Sequence, residues 1–160
     1  MNATRATDFF ERIVSDGQQA ILTPTAYGEV LHASIRLQYE QELRLNRQAI
    51  TARFGRRITS WTELYKRDPS IARHHEEALE LLRQTLGGNN VAIATPAQLG
   101  PISSGRPYDE KLVRLVGRDG LDTNDALIFM EASRLGITAI VTMDRDMERA
   151  RPDFDVYTWV

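Results

Sequence analysis

The segment Ile137-Thr138-Ala139-Ile140-Val141-Thr142 is apolar at nearly every position and is too short for a helix of ordinary length. A run of this kind reads as a buried strand, and a strand buried on both faces belongs to a parallel sheet with helices above and below. What precedes it agrees. Asp122 or Thr123 can cap a helix whose core side is Ala126, Leu127, Met130 and Leu135, and Gly136 ends it. After it come a short helical turn over 144–149 and a final strand over 155–159. The same alternation runs through the earlier chain. Phe9, Phe10, Ile13 and Val14 mark one face of a first helix ending near Gly17, and Gln19 to Thr23 is a short apolar strand. Pro24 then stands where a helix begins, and the helical pattern holds from about Thr25 to Phe54, with Gly55 as its stop.

Ser60-Trp61-Thr62-Glu63 has the spacing of a capping box, and Asp68-Pro69 opens a helix carrying Ile71, Ala78, Leu79, Leu82 and Leu86 on one face as far as Gly87-Gly88. Val91 to Ala94 is a strand. The stretch 95–107, with three prolines and two glycines, reads as a loop before a helix over 109–116. Strands alternating with helices predict an α/β fold with a mainly parallel sheet flanked by helices, interrupted by a helical insertion around 36–86. With 160 residues, 42% hydrophobic and 26% charged, the chain fits a single domain, 1–160.

Composition removes several chemistries. There is no cysteine, which excludes disulfides, thiolate metal sites and a cysteine nucleophile, and fits a cytoplasmic protein. No apolar run reaches the ~18 residues of a membrane span, and no signal segment opens the chain. A formal charge of −2 means that affinity for nucleic acid must come from a local basic surface or from metal ions.

In open parallel sheets, ligands gather outside the carboxyl ends of the strands. Three acidic residues fall there: Glu29, about one helical turn past the strand 19–23; Asp144, directly after the strand 137–142; and Asp125, in the first turn of the helix before that strand. Carboxylates brought together raise one another's pKa unless a cation neutralises them, and hard oxygen donors suit Mg²⁺ or Mn²⁺. Such an ion activates water and clamps a phosphodiester. Asp125 also has a plainer reading, since acidic groups in a first helical turn are favoured by the macrodipole alone. Asp146 and Glu148 read as solvated side chains, with Asp146 the better placed to assist at the site.

Leu121-Asp122-Thr123-Asn124-Asp125-Ala126-Leu127-Ile128, with Ala132, Leu135-Gly136, Ile140-Val141-Thr142-Met143-Asp144-Arg145-Asp146 and Val156-Tyr157-Thr158-Trp159, resembles the C-terminal half of PIN domains. The run Leu22-Thr23-Pro24-Thr25-Ala26-Tyr27-Gly28-Glu29-Val30-Leu31 is similar to the segment that carries that family's glutamate. The resemblance covers about 5–35 and 90–160. It implies a Mg²⁺- or Mn²⁺-dependent endonuclease for single-stranded RNA, often the toxin of a toxin–antitoxin pair. It further implies an antitoxin protein as inhibitor, homodimers, and Glu29, Asp125 and Asp144 as metal ligands with Asp146 assisting in catalysis.

The chain departs from that pattern in two places. PIN domains begin with a central strand ending in an aspartate, whereas this sequence enters its first helix directly, and Asp8 lies in or at the cap of that helix with no strand before it. Either the chain begins downstream of a natural start, in which case the neighbours of that strand must pair directly, borrow an edge from another copy or leave backbone groups unsatisfied, or it is a divergent member with a lesioned site. The alternative function is accordingly a non-catalytic PIN-like module that binds RNA or a protein. A third reading, a Mg²⁺-dependent phosphatase on a related sheet, ranks last, because the chain lacks the paired aspartates that it would carry directly after a first strand. The second departure is the insertion, where Arg44, Arg47, Arg53, Arg56 and Arg57 form a basic side. It reads as a solvated helix face balanced by Glu40 and Glu42 in preference to a phosphate track. Tyr39 and Phe54 read as core in preference to base-stacking residues, and His74-His75 as surface.

Overall fold

The structure is a computed structural model that describes residues 2–73, 75–100 and 108–158. It is a mixed α/β chain, mostly helical, with short parallel strands. It divides into two compact units, an α/β unit of Met1–Tyr27 with Asn89–Val160 and a helical unit of Gly28–Gly88. The second is close to the expected insertion.

In the α/β unit, α1 (Asn2–Ser15) leads to β1 (Ala20–Leu22), and α2 (Pro24–Leu45) starts at the proline. After the helical unit come β2 (Val91–Ile93), a 3-10 turn (Pro96–Gln98) and α7 (Tyr108–Gly117). The unit closes with α8 (Thr123–Arg134), β3 (Ala139–Thr142), a second 3-10 turn (Arg145–Ala150) and β4 (Asp155–Thr158). Trp159, expected in the last strand, and 101–107 of the expected loop lie outside the described residues. The core is one cluster in which α8 supplies Ala126, Phe129, Met130 and Ala132 against Ile140 of β3 and Val156 of β4, with Leu115, Leu121, Met147, Ala150 and Phe154 filling the sides.

Both strand pairs are parallel, as the alternation of strands and helices predicts, but they do not join. β1 pairs with β2 and β3 with β4, each as a separate two-stranded sheet among the described residues. Ala20 donates its N–H to Asn90 O at 3.2 Å, and Leu22 O accepts from Ala94 at 2.9 Å. Along a strand in a parallel ladder, successive residues turn their N–H and C=O to opposite edges, so Ile21 directs both away from β2. The bond from Asp155 N–H to Thr138 O, 2.9 Å, sets the same alternation in the other pair. There Ala139 and Val141 point away from β4. Among the described residues, the backbone groups of Ile21, Ala139 and Val141 therefore face edges that no strand covers.

The expectation of burial on both faces is corrected with it. β3 and β4 bury Ile140 and Val156 on one face, while Ala139 and the cross-strand pair Val141 and Tyr157 are exposed on the other. Amide exchange checks this arrangement. The Val141 amide is expected to exchange about 100-fold faster than that of Ile140, because only the latter is held in a ladder. Equal protection at the two amides would show that β3 has a second strand partner.

The helical unit contains most of α2, then α3 (Arg47–Phe54), α4 (Trp61–Arg67), α5 (Ser70–Arg73) and α6 (Glu76–Gly88). The sequence reading of continuous helices over 25–54 and 69–86 is corrected twice. The first breaks at Asn46, whose side-chain amide donates to Glu42 Oε1 at 2.8 Å and whose backbone leaves helical geometry, φ −115° and ψ 23°. Its backbone N–H still reaches Glu42 O at 2.8 Å and its C=O accepts from Ile50 at 2.9 Å, so the break is a change of backbone angle with the bonds kept. The second breaks at His75, whose N–H reaches Ala72 O, three residues back, at 3.2 Å; His74 lies outside the described residues. Gly55 ends α3 as expected, in the left-handed region at φ +66°.

Only half of the predicted capping box forms. Ser60 Oγ accepts from Glu63 N–H at 3.2 Å, but the Glu63 carboxylate turns outward to Arg56 and Arg67. The unit packs around Tyr39 and Leu64, both fully buried, with Leu43, Ile50 and Ile58. Tyr39 is thus core, as expected. Its hydroxyl donates to Asp68 O at 2.9 Å and accepts from Ala72 N–H at 3.1 Å.

Asp68 is itself buried and ends α4 through its own N–H to Leu64 O. Its carboxylate accepts from the Ser70 hydroxyl and N–H and pairs with Arg53. The Ser70 hydroxyl and then Arg53 hold its pKa below the usual carboxylate value, against the opposing effect of burial. A pKa depressed in the folded state gives stability that is present above the unfolded value, about 3.9, and is lost as pH falls below it. Asp68→Asn is expected to cost about 1.5 kcal/mol at neutral pH, the lower end for bonds to a charged group because Arg53 is largely exposed. Denaturation of parent and variant between neutral pH and about pH 2.5 checks it. The stability gap should narrow on acidification, and a gap independent of pH would remove Asp68 as the linked group.

Candidate functional site

Asp125 and Asp144 are placed by two local devices. At the start of α8, Asp122 is the N-cap, and its Oδ1 accepts from the Asp125 N–H at 2.9 Å. Asp125 therefore stands in the first turn, buried, where the helix macrodipole favours a negative charge. At the other element, Thr142 closes β3 and its Oγ1 accepts from the Asp144 N–H at 3.0 Å. Asp144 Oδ1 in turn accepts from the Asp146 N–H at 2.8 Å and caps the 3-10 turn. One carboxylate oxygen of Asp144 is thus engaged in holding its own loop. Asp144 is exposed, and its other oxygen accepts no hydrogen bond among the described residues.

Topology brings these two residues to one end of the α/β unit. α8 and β3 are consecutive, joined by the turn at Gly136, which adopts φ +71°, and packed through Ala126, Met130 and Ile140. The helix thus returns alongside the strand, so its N-terminus lies at the strand's C-terminal end. Asp146 sits in the same loop, exposed and ion-paired with Arg149 at 2.8 Å. Glu148 is engaged elsewhere, accepting from Thr158 Oγ1 at 2.9 Å and so tying the 3-10 turn to β4. Glu29, the third expected ligand, is an exposed residue of α2 and belongs to the helical unit.

Glu131 is a structural residue that the sequence reading missed. Its carboxylate accepts from Thr25 N–H at 3.0 Å and from Thr25 Oγ1 at 2.8 Å. Pro24 has no N–H, Thr23 Oγ1 takes the Ala26 N–H at 3.3 Å, and Thr23 O takes that of Tyr27 at 2.9 Å. All the amides of the first turn of α2 are therefore satisfied within the protein. The only sequence signal for Glu131 is a lone carboxylate among Ile128, Phe129, Met130 and Ala132. Arg134 adds a second long-range tie, donating through Nε to Gly100 O at 2.6 Å.

The donors Asp125 and Asp144 are hard oxygens suited to a divalent cation. Among the described residues no three histidine or acidic side chains gather as a ready-made metal cage. Mg²⁺ is commonly held by one or two carboxylates together with water and substrate phosphate, so a pair of aspartates is a donor set that fits it. Taken together, fold and site define an α/β unit with two aspartates at the carboxyl end of a parallel strand pair. No family model, curated protein or solved structure matches the chain.

Proposed function

We propose that this chain is a PIN-like, metal-dependent endoribonuclease acting on single-stranded RNA, toxin-like in its biology. The observation that carries the reading is the placement of Asp125 and Asp144 at one end of the α/β unit, where open parallel sheets bind ligands. The residue pattern around both, which resembles that of PIN domains, supports it.

In this reading Asp125 and Asp144 hold the Mg²⁺ or Mn²⁺ ion. Such an ion, when bound, supplies an activated water and neutralises charge on the phosphodiester. Asp122 and Thr142 orient the two aspartates through the amides they accept from. Asp146 is a positioning residue: its N–H fixes Asp144, and its carboxylate is held by Arg149. An antitoxin protein covering the site and a homodimer follow from the same resemblance and stand or fall with it. Among the described residues no helix is long and apolar enough to cross a membrane.

A second reading, a non-catalytic module that binds RNA or protein, is favoured by the lack of a third gathered carboxylate among the described residues. Cleavage of a mixed single-stranded RNA pool with Mn²⁺ or Mg²⁺ separates the two. Cleavage that Asp125→Asn or Asp144→Asn abolishes supports the nuclease, and binding without cleavage supports the module.

A further inference from the structure

The helical unit holds a concentration of positive charge that the chain as a whole does not share. Between Arg53 and Asp68 stand five cationic side chains, Arg53, Arg56, Arg57, Lys66 and Arg67, against two acidic ones, in a protein whose formal charge is −2. The sequence reading balanced the basic side of the insertion with Glu40 and Glu42. In the structure Glu40 pairs with Arg36, and Glu42 receives the Asn46 side chain, so neither neutralises this group. Arg56, Thr62, Glu63, Lys66 and Arg67 line an open cleft of about 380 Å³.

The two acids of this region organise the cations more than they cancel them. Glu63 lies between Arg56 and Arg67 and pairs with both, which fixes two guanidinium forks on the cleft wall. Asp68 is buried and holds Arg53. The Phe54 ring lies under both Arg53 and Arg67, with guanidinium carbons 5.2 Å and 5.9 Å from its centroid, an arrangement that restrains them further. Lys66 and Arg57 are exposed and make no ion pair or hydrogen bond among the described residues. Their charge is available to a ligand.

Arginine forks suit phosphate oxygens, and a lysine beside them adds a mobile point charge. Tyr65 adds a feature that an acidic protein segment does not need. It neighbours Thr62 on the surface of α4, is 44% exposed, and is braced edge-on by the core residue Tyr39 at 5.5 Å. An exposed ring beside a basic cleft is the pairing used for single strands, where the groove tracks the backbone and rings stack on bases. We propose that this cleft is a phosphate-backbone subsite for single-stranded RNA, with Lys66, Arg56 and Arg67 on phosphate and Tyr65 under a base. The choice of RNA rests on the ribonuclease reading.

The test uses the full chain and a short fluorescent oligouridine, with chelator present so that no metal-dependent cleavage occurs, and follows anisotropy over a salt series. The Arg57→Glu/Lys66→Glu double variant changes two exposed side chains, and its thermal melt should match the parent's. Its affinity is expected to fall by at least about tenfold, and the slope of log affinity against log salt to shrink by at least about 0.7, the value for the one lost phosphate contact of Lys66 to a single strand. Tyr65→Leu should weaken binding with the salt slope unchanged. Unchanged affinity and slope in the double variant overturn the subsite, and so does an oligoglutamate that competes as well as unlabelled oligouridine. Cleavage by the parent in Mn²⁺ is scored separately. Binding lost in the double variant supports the subsite even if the parent never cuts, whereas intact binding sinks it even if the parent does.

Discussion

On the proposed ribonuclease reading, Asp125→Asn is expected to lower RNA cleavage by roughly a thousandfold, the scale on which removing one charge-stabilising group from an active site acts. Asparagine keeps the size and one oxygen of the side chain but not its charge, so a hard divalent cation loses its reason to bind there. The Asp122 cap uses the backbone N–H of residue 125, which the substitution leaves in place. Loss of a favourable charge in the first turn of α8 contributes about 0.3–1 kcal/mol to the cost in stability. Asp144→Asn should behave the same way, because an amide oxygen can still accept from the Asp146 N–H. The measurement is cleavage of a mixed single-stranded RNA pool in Mn²⁺ or Mg²⁺, with thermal melts as the control. Two stable variants that cut like the parent would remove both aspartates from the chemistry. A parent that binds RNA and never cuts it would favour the binding module.

Phe129→Ala is expected to have the largest effect on stability, about 3–5 kcal/mol. Phe129 is fully buried at the centre of the α/β core, with its ring centroid 4.7 Å from that of Phe154. Truncation removes the transfer free energy of the ring, leaves a cavity, and gives up an aromatic pair of about 0.5–1.5 kcal/mol. The same residue joins α8 to the cluster that contains β3 and β4, so its loss should loosen the elements that carry Asp125 and Asp144. Chemical denaturation gives the size of the effect, and amide exchange at Ile140 and Val156 gives its place. Phe129→Leu should recover part of the loss. A cost below about 1 kcal/mol would mean that the core is not organised around this ring.

Much of the chain was legible because it is governed by neighbours in sequence. The Asp122 cap, the Ser60 cap, Pro24 at a helix start, and Gly55 and Gly136 as stops all depend on bonds or backbone angles within a few residues. The strand 139–142 announced itself by apolar composition and the helices by a 3.6-residue period. The local settings of Asp125 and Asp144 followed from the same rules, since a first turn and a strand end are short-range features. The breaks at Asn46 and His75 were less visible, because a helical period continues through both and only the local backbone geometry interrupts it.

Other features depended on partners far away along the chain. Glu131 caps α2 from 106 residues distant, and no pattern near Thr25 points to it. Composition shows that β3 is apolar but not which strands flank it, so its exposed face and the unpaired backbone of Ile21, Ala139 and Val141 appeared only once pairing was known. Likewise, the arginines of the insertion could be counted in the sequence, but their carboxylate partners could not be identified there. Sequence alone therefore determined most of the elements, apart from the breaks at Asn46 and His75, and where each aspartate sits within its own element. Tertiary structure decided how the strands pair, which charges are compensated and which remain free, because pairing and neutralisation are contacts between segments whose separation along the chain carries no information about their distance in space.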